Sequence, residues 1–338
     1  MLSGGQQVHV QLPTPRGPLS EDVFAALAGT PRPLPYSGRL PVPMSDDFQV
    51  TLWTLQEMAF RPLKGVDAGW EDEASVVALR QTLERAQEGE LRASLFCSPT
   101  AAQDVPEAIK QMVSGNEGPS LSRWMEEHGA LAHVREFVMH RAAYQLKEAD
   151  PHSFVIPRLD AGRAKSALLK IQLDEYGNAE PGQSHAELFA QTIRALEVRP
   201  DIDCIPAVTL RTNTVLNTFA SRRRLRGACL GHLAVFEMTS VEPMARYASA
   251  LRRVLDGETA TKAARFFDVH VAADGFHQEL ALDEMLAGFV EQYPCEADEV
   301  LFGATAVMAV ESDFTRHLLQ CWETGNSSLR SRAAALAA

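Results

Sequence analysis

The chain has 338 residues, of which 46% are hydrophobic and 22% charged, a composition typical of a globular protein with a sizeable core. Aspartate and glutamate total 44 against 32 lysines and arginines. The formal charge of −12 argues against nucleic acid or an anionic membrane as the main partner. There is no run of about 18 apolar residues and no signal-peptide pattern at the start. Five widely spaced cysteines without a CxxC pair indicate a reducing cytoplasm.

The first third of the sequence predicts an extension rather than a complete fold. Residues 1–45 are rich in proline, with one short helical candidate at Glu21–Leu27, and predict an arm that wraps another surface. From Asp46 to about Leu95 the apolar spacing becomes helical, with a loop at Lys64–Trp70. These helices are too few to be stable alone. Residues 1–105 are therefore expected to pack on the main domain or on the second subunit of a homodimer.

Residues 106–330 predict a single all-α domain, followed by a frayed tail at residues 331–338. No segment shows the alternating pattern of a strand over a useful length. Glycine, proline and asparagine occupy the breaks between periodic stretches, where helices end. The candidate helices are Pro106–Gly115, Leu121–His128, Ala130–Ala149, Gly162–Tyr176, Ser184–Leu196, Ile205–Ser221, Arg224–Ser240, Val241–Leu255, Thr259–Ala281 and Ala297–Thr324.

The candidate helix Thr259–Ala281 carries a stripe of ligand-type side chains. His270, Asp274 and His277 lie at i, i+4 and i+7, which places them in a stripe roughly 60° wide at about 100° per residue. Two imidazoles and a carboxylate on one face suit a divalent metal such as iron, manganese or zinc. Phenylalanine and valine flank the stripe, so it is expected to face inward. A surface helix with scattered polar residues is the alternative.

Other candidate helices place polar side chains where a core residue is expected. Glu148, Glu175 and Glu237 each continue an apolar stripe, and His185 opens a helix on its apolar face. An ionised carboxylate on a core face costs several kcal/mol unless it is paired or binds a metal. Singly, each has a structural explanation, such as an ion pair between Glu148 and Arg141. Together with the stripe, three imidazoles and four carboxylates favour two metal ions, above all iron.

These motifs resemble the heme-oxygenase-like diiron oxidases and oxygenases, also called iron-containing redox enzymes. The resemblance covers residues 106–330 and implies a heme-oxygenase-like helical bundle with a smaller N-terminal helical extension. The layout is similar to that of the N-oxygenases of streptozotocin and azomycin biosynthesis. Besides the HxxxDxxH stripe, the segments that carry the resemblance are Leu146–His152, Asp174–Gly177, His185–Ala190, Gly231–Glu237, Phe302–Ala304 and Ser327–Arg330.

The resemblance implies a diiron site with O2 as co-substrate, an external electron donor and a small nitrogen-containing substrate. The activity expected from it is oxidation of an amine, guanidine or aminoazole nitrogen to an N-hydroxy or nitro group. One such reaction, in bacterial natural-product biosynthesis, converts 2-aminoimidazole to 2-nitroimidazole. Glu237 matches the further carboxylate of the N-oxygenating branch. The six implied iron ligands are Glu148, Glu175, His185, His270, Asp274 and His277.

Several alternatives remain open at this point. Arg141, Tyr144 and His152 flank Glu148 and could contact the substrate, or they could be structural. A diiron oxidase that cleaves a C–C bond or desaturates an amino or fatty acid would use the same ligands. A non-catalytic helical protein that binds metal or heme is a further alternative. Product analysis separates the first of these from N-oxygenation, and a Soret band would reveal heme.

Overall fold

The computed structural model describes residues 10–34, 38–95, 97 and 100–331, with the side chain of Asp274 outside the described part. The described chain is almost entirely helical, which confirms the predicted all-α class. A two-residue parallel pair joins Val10–Gln11 (β1) to Leu63–Lys64 (β2). Most of the predicted frayed tail lies outside the described residues.

In chain order, the α-helices are Pro18–Leu27 (α1), Asp46–Glu57 (α2), Ala74–Ser94 (α3), Val105–Ser114 (α4), Leu121–His128 (α5), Leu131–Gln145 (α6), Ala149–Ser153 (α7), Arg163–Glu175 (α8), His185–Ala195 (α9), Ala207–Ser221 (α10), Arg226–Thr239 (α11), Val241–Val254 (α12), Gly257–Glu279 (α13), Ala287–Gln292 (α14) and Ala297–Glu323 (α15). A π-helical turn, Leu280–Leu286, links α13 to α14. Among the described residues, no helix combines the length and apolar character needed to cross a membrane.

The chain divides into two compact units. The smaller unit takes the described residues up to Glu90, together with Ile202–Thr214 and the residues from Arg330 onward. The larger unit comprises Leu91–Asp201 and Val215–Leu329. The division into an extension and a main domain at residue 105 stays a prediction.

Helix α2 of the smaller unit is buried along almost its whole length, including its polar side chains. Ser45 caps its start by accepting a hydrogen bond from the backbone N–H of Phe48 at 3.2 Å. Inside, the amide of Gln49 donates to the side-chain oxygen of Gln87 at 2.6 Å. The hydroxyl of Thr214 donates to the side-chain oxygen of Gln49 at 2.7 Å. These hydrogen bonds offset the cost of burying polar groups.

In the larger unit, α11 packs closely on α15 because both helices present glycine at the contact. A Cβ atom on Gly231 would clash with the backbone carbonyl of Val300, and one on Gly303 would clash with that of Ala228. Only a residue without a side chain permits such an approach of two backbones. The close contact fixes α11, which carries Glu237 in its last turn.

Two predicted helices of the main domain differ from the observed ones, while the others begin and end within two residues of their predicted bounds. The predicted helix Ala130–Ala149 ends at Gln145, and Leu146–Glu148 form a turn before α7. Pro151 explains part of the break, because it has no N–H for a helical hydrogen bond. The predicted helix Thr259–Ala281 continues instead through the π-helical turn, which has no signature in the apolar spacing.

Replacing Gly303 by alanine puts a methyl group against the backbone of Ala228, so α11 and α15 must separate. We expect the free energy of unfolding to fall by about 3 kcal/mol, measured by urea denaturation followed by circular dichroism. Gly275→Ala in α13 is the control, because that Cβ position has no neighbour within 4 Å beyond the adjacent residues and the backbone of its own helix. The control should gain up to about 1 kcal/mol from helix propensity. Equal urea midpoints for G303A and the wild type would disprove the close contact.

Candidate metal centre

Five segments of the larger unit direct ligand-type side chains into its interior. Six residues contribute these side chains, and none of them exposes more than 9% of its surface as a whole residue. They are Glu148 in the turn between α6 and α7, Glu175 at the end of α8, His185 at the start of α9, Glu237 in α11, and His270 and His277 in α13.

A tight turn between α8 and α9 brings Glu175 and His185 together. Gly177 adopts a φ of 65°, and a Cβ there would clash with the backbone of Gln183, so glycine is required. Helix α9 then begins with a capping box, in which Ser184 and Glu187 exchange hydrogen bonds. The first-turn imidazole of His185 therefore points inward.

Four side chains form the first group of ligand atoms: Glu148, Glu175, His185 and His270. Their ligand atoms all lie within 4.8 Å of one another. His185 Nδ1 is 2.8 Å from Glu175 Oε2 and 3.7 Å from Glu148 Oε1, and His270 Nε2 is 4.0 Å from Glu148 Oε1. Metal–ligand bonds of about 2.1 Å separate two ligands of one ion by at most about 4.2 Å. The three separations given above lie within this limit, so the group is close to the arrangement that one metal ion requires.

The second group consists of Glu175, Glu237 and His277, whose ligand atoms also lie within 4.8 Å of one another. Nδ1 of His277 is 3.3 Å from Oε2 of Glu237. Glu175 belongs to both groups, so a single carboxylate lies within reach of the ligand atoms of each. Both groups offer imidazole nitrogen and carboxylate oxygen, a donor set that suits iron.

Hydrogen bonds on the far side of the rings orient two of these imidazoles. Nδ1 of His270 donates to the backbone carbonyl of Phe266 at 2.9 Å, which leaves Nε2 for a metal. Nε2 of His277 donates to Oδ2 of Asp174 at 2.9 Å, which leaves Nδ1 facing the second group. Sequence reasoning did not assign Asp174 to the site. The only signal was its position beside Glu175, and neighbouring helical residues point about 100° apart.

Protonation differs between the imidazoles of the two groups. Burial, together with the nearby His185, lowers the pKa of His270 to about 4. Burial alone would also lower the pKa of His277, but the carboxylate of Glu237 raises it to about 9. Burial raises the pKa of Glu237. Burial would also raise the pKa of Glu175, but the nearby His185 outweighs it and lowers the pKa of Glu175 to about 2. A metal that binds Nδ1 of His277 must therefore displace a proton.

Asp274 lies in α13 between the two histidine ligands, and its side chain is outside the described residues. Its predicted role as a ligand stays a prediction.

His232, which was not expected to be a ligand, belongs to neither group. It lies against His152 instead, with its Nδ1 3.4 Å from Nε2 of His152. Burial lowers the pKa of His152 to about 4 and that of His232 well below its usual value. Both rings are therefore neutral at neutral pH.

A cavity of about 850 Å³ lies against the two groups, within the larger unit. Tyr144 lines it and is buried, with its ring 5.7 Å from that of Phe236. Arg141 lines it too, paired with Glu311 by hydrogen bonds of 3.0 and 2.6 Å and stacked 4.3 Å from the ring of Phe314. All three residues that were expected to contact a substrate or to be structural, Arg141, Tyr144 and His152, thus line the cavity. From the first and second groups, the cavity wall includes Glu148, Glu175, Glu237 and His270.

Comparison with known families gives a match over residues 135–312 to a family described as iron-containing redox enzyme. The matched range covers more than half of the chain and contains all the predicted ligands, from Glu148 to His277. The chain belongs to the iron-containing redox enzyme family. Membership confirms the predicted heme-oxygenase-like helical fold, and together with the buried glutamates and histidines it indicates an iron-binding oxidoreductase. Among curated proteins, no match was found.

Replacing Asp174 by asparagine keeps the size of the side chain but removes the charge that orients His277. We expect metal affinity to fall about 10- to 100-fold, measured by titrating the metal-free protein with Mn(II) and following free Mn(II) by electron paramagnetic resonance. Asp268→Asn is the control, because Asp268 lies on the same helix as His277 but pairs with Arg252 at the surface. Unchanged affinity in D174N would show that His277 is oriented without this carboxylate.

Proposed function

We propose that this chain is a non-heme diiron, O2-dependent N-oxygenase. One observation supports the diiron assignment above the others: Glu175 belongs to both groups of ligand atoms. Glu148, His185 and His270 would hold one iron beside it. Glu237 and His277 would hold the other, with Asp274 completing that position as the family resemblance implies.

The irons, when bound, would supply electrons for the reduction of O2 at a site of carboxylates and imidazoles between helices. The protein's part is to neutralise their charge and to shield them from water. Glu148, Glu175 and Glu237 would offset the positive charge of the ions. Tyr144 and Phe236 pack together on the cavity wall and would limit the access of water to the substrate nitrogen.

The charge of the cavity supports an amine or guanidine as substrate. Beyond the metal-facing groups, its described lining includes five glutamates and three arginines, so it is negative overall. Such a lining attracts a cation, and amines and guanidines are cationic at neutral pH. A volume of about 850 Å³ also accommodates molecules much larger than a bare aminoazole. 2-Aminoimidazole, the smallest substrate considered, would fill only part of it.

Tyr144 would act on the substrate as a hydrogen-bond donor. Burial and the nearby carboxylates raise its pKa well above the usual value, so the phenol stays protonated at neutral pH. A neutral hydroxyl can donate to an oxygen or nitrogen lone pair of the reacting group. Arg141 is compensated by Glu311 and would contribute shape and hydrogen bonds more than net charge.

The first test of this proposal is the number of irons per chain. In an anaerobic Fe(II) titration we expect the wild type to bind two irons, and His185→Ala and His277→Ala to bind one each. Glu175→Ala should lose affinity at both positions, because its carboxylate faces both. His128→Ala, at an exposed histidine of α5, is the control and should still bind two. Saturation of the wild type at one iron would contradict the diiron assignment.

The second test identifies the reaction by its products. The iron-loaded protein is incubated with 18O2, a reductant and a panel of amines, guanidines and aminoazoles. We expect N-hydroxy, nitroso or nitro products that contain the label. Tyr144→Phe should slow their formation about tenfold through loss of one hydrogen bond. Carbonyl, alkene or CO2 release would indicate a C–C-cleaving or desaturating oxidase instead. Iron binding without O2 consumption would indicate a non-catalytic protein.

A further inference from the structure

Gln145, the last residue of α6, is a buried polar residue in the wall of the cavity. As a whole residue it is 7% exposed. Its side-chain oxygen, Oε1, is buried and accepts no hydrogen bond from the described residues. Buried polar atoms in proteins are almost always paired. A molecule bound in the cavity can supply the partner that this oxygen lacks.

The geometry of α6 places Gln145 on the way from the outer cavity to the ligand groups. Phe137, Arg141, Tyr144 and Gln145 all line the cavity and lie at i, i+4, i+7 and i+8, so they share one face. Gln145 is about 6 Å further along the helix axis than Arg141. Glu148 of the first group follows in the turn after α6. A molecule that reaches from Arg141 toward the first group therefore passes Gln145.

The charged side chains near Gln145 are largely compensated, and much of the remaining wall is apolar. Arg141 pairs with Glu311, and Arg246 pairs with Glu242. Ligand cavities commonly combine apolar walls with a few polar groups that fix the orientation of the ligand. Gln145 is such a polar group. The apolar residues of the wall include Phe189, Leu233, Phe236, Phe267 and Val307.

The surroundings of Gln145 favour a partner that donates a hydrogen bond. The carbonyl groups at the end of a helix carry partial negative charge, and Gln145 ends α6. Glu148 and Glu237 add carboxylates to the same cavity wall. A half-turn about the Cγ–Cδ bond exchanges the oxygen and nitrogen of the carboxamide, so Oε1 can turn from its buried position toward the cavity. An N–H group of the substrate then meets an acceptor oxygen.

We propose that Gln145 selects the substrate nitrogen: its Oε1 accepts a hydrogen bond from an N–H of the group that is oxygenated. This inference rests on the proposed N-oxygenase function and narrows its substrates to nitrogens that carry at least one hydrogen. Tyr144, the preceding residue, would donate to the lone pair of the same nitrogen. Fully substituted nitrogens would bind poorly, because they leave Oε1 unpaired.

This selection depends on a hydrogen bond and not on size. A cavity of about 850 Å³ admits a nitrogen with or without added methyl groups. A site built to hydrogen-bond one group rejects an analogue that lacks it, because a buried polar atom is then left without a partner. Selectivity should therefore disappear when the carboxamide is removed, even though the cavity becomes no smaller.

The test is isothermal titration calorimetry of the full chain, saturated with Mn(II) and kept anaerobic without a reductant, so that no turnover occurs. The probes are benzylamine and benzyltrimethylammonium, which share a benzyl group and a single positive charge at neutral pH. Only benzylamine carries N–H. We expect the wild type to bind benzylamine at least tenfold more tightly, and Gln145→Leu to reduce this ratio of dissociation constants below twofold.

Two further variants separate the hydrogen bond from other effects. Gln145→Glu keeps the acceptor oxygen and adds a charge that acts on both probes alike, so its ratio should stay at least tenfold. This variant also tests the proposal if Q145L fails to fold. Gln320→Leu is the matched control, because Gln320 is exposed on α15. Its ratio should equal that of the wild type.

Four outcomes would overturn the proposal. They are a wild type that binds no benzylamine or binds both probes equally, a Q145L ratio as high as that of the wild type, equal weakening of both probes by Q145L, and a Q145E ratio near one. The same titrations are repeated on the metal-free chain. A chain that takes up no Mn(II) but still shows selectivity dependent on Gln145 would count against the proposed diiron function and not against this role of Gln145.

Discussion

Three glutamates buried in one helical unit are the constraint on which the rest of this molecule depends. Glu148, Glu175 and Glu237 are each more than nine-tenths buried, and an ionised carboxylate in such surroundings costs several kcal/mol unless it is compensated. Imidazoles provide part of the compensation, with His185 2.8 Å from Glu175 and His277 3.3 Å from Glu237. A divalent metal would supply more positive charge at the same place, so metal binding and folding stability are coupled in this unit.

Gathering these side chains requires breaks in regular structure at defined places. The turn at Leu146–Glu148 separates α6 from α7, and Gly177 folds α8 back toward α9. The glycine contact between α11 and α15 holds the helix that carries Glu237. The π-helical turn follows directly after the helix that carries His270 and His277, and such turns are frequent at functional sites. The metal centre is therefore a product of irregular backbone as much as of ligand residues.

The two groups of ligand atoms contact both a cavity and the partly exposed Asp174. The cavity is lined by charged groups and aromatic rings and reaches the two ligand groups from one direction. Asp174, near the end of α8, accepts a hydrogen bond from His277 of the second group and is partly exposed. Asp174 therefore both orients an imidazole and, because it is partly exposed, links the second group to the surface.

The sequence by itself determined the helical class, most helix bounds in the main domain, and the burial of the three glutamates and three histidines of the two ligand groups. It could do so because apolar spacing and the cost of a buried charge act within one helix, as at His270 and His277. Only the tertiary structure decided that Glu175 faces both groups, that Asp174 orients His277, and that α13 runs into a π-helical turn. Those features depend on contacts between helices far apart in the chain, and the spacing of residues along one helix carries no information about its neighbour.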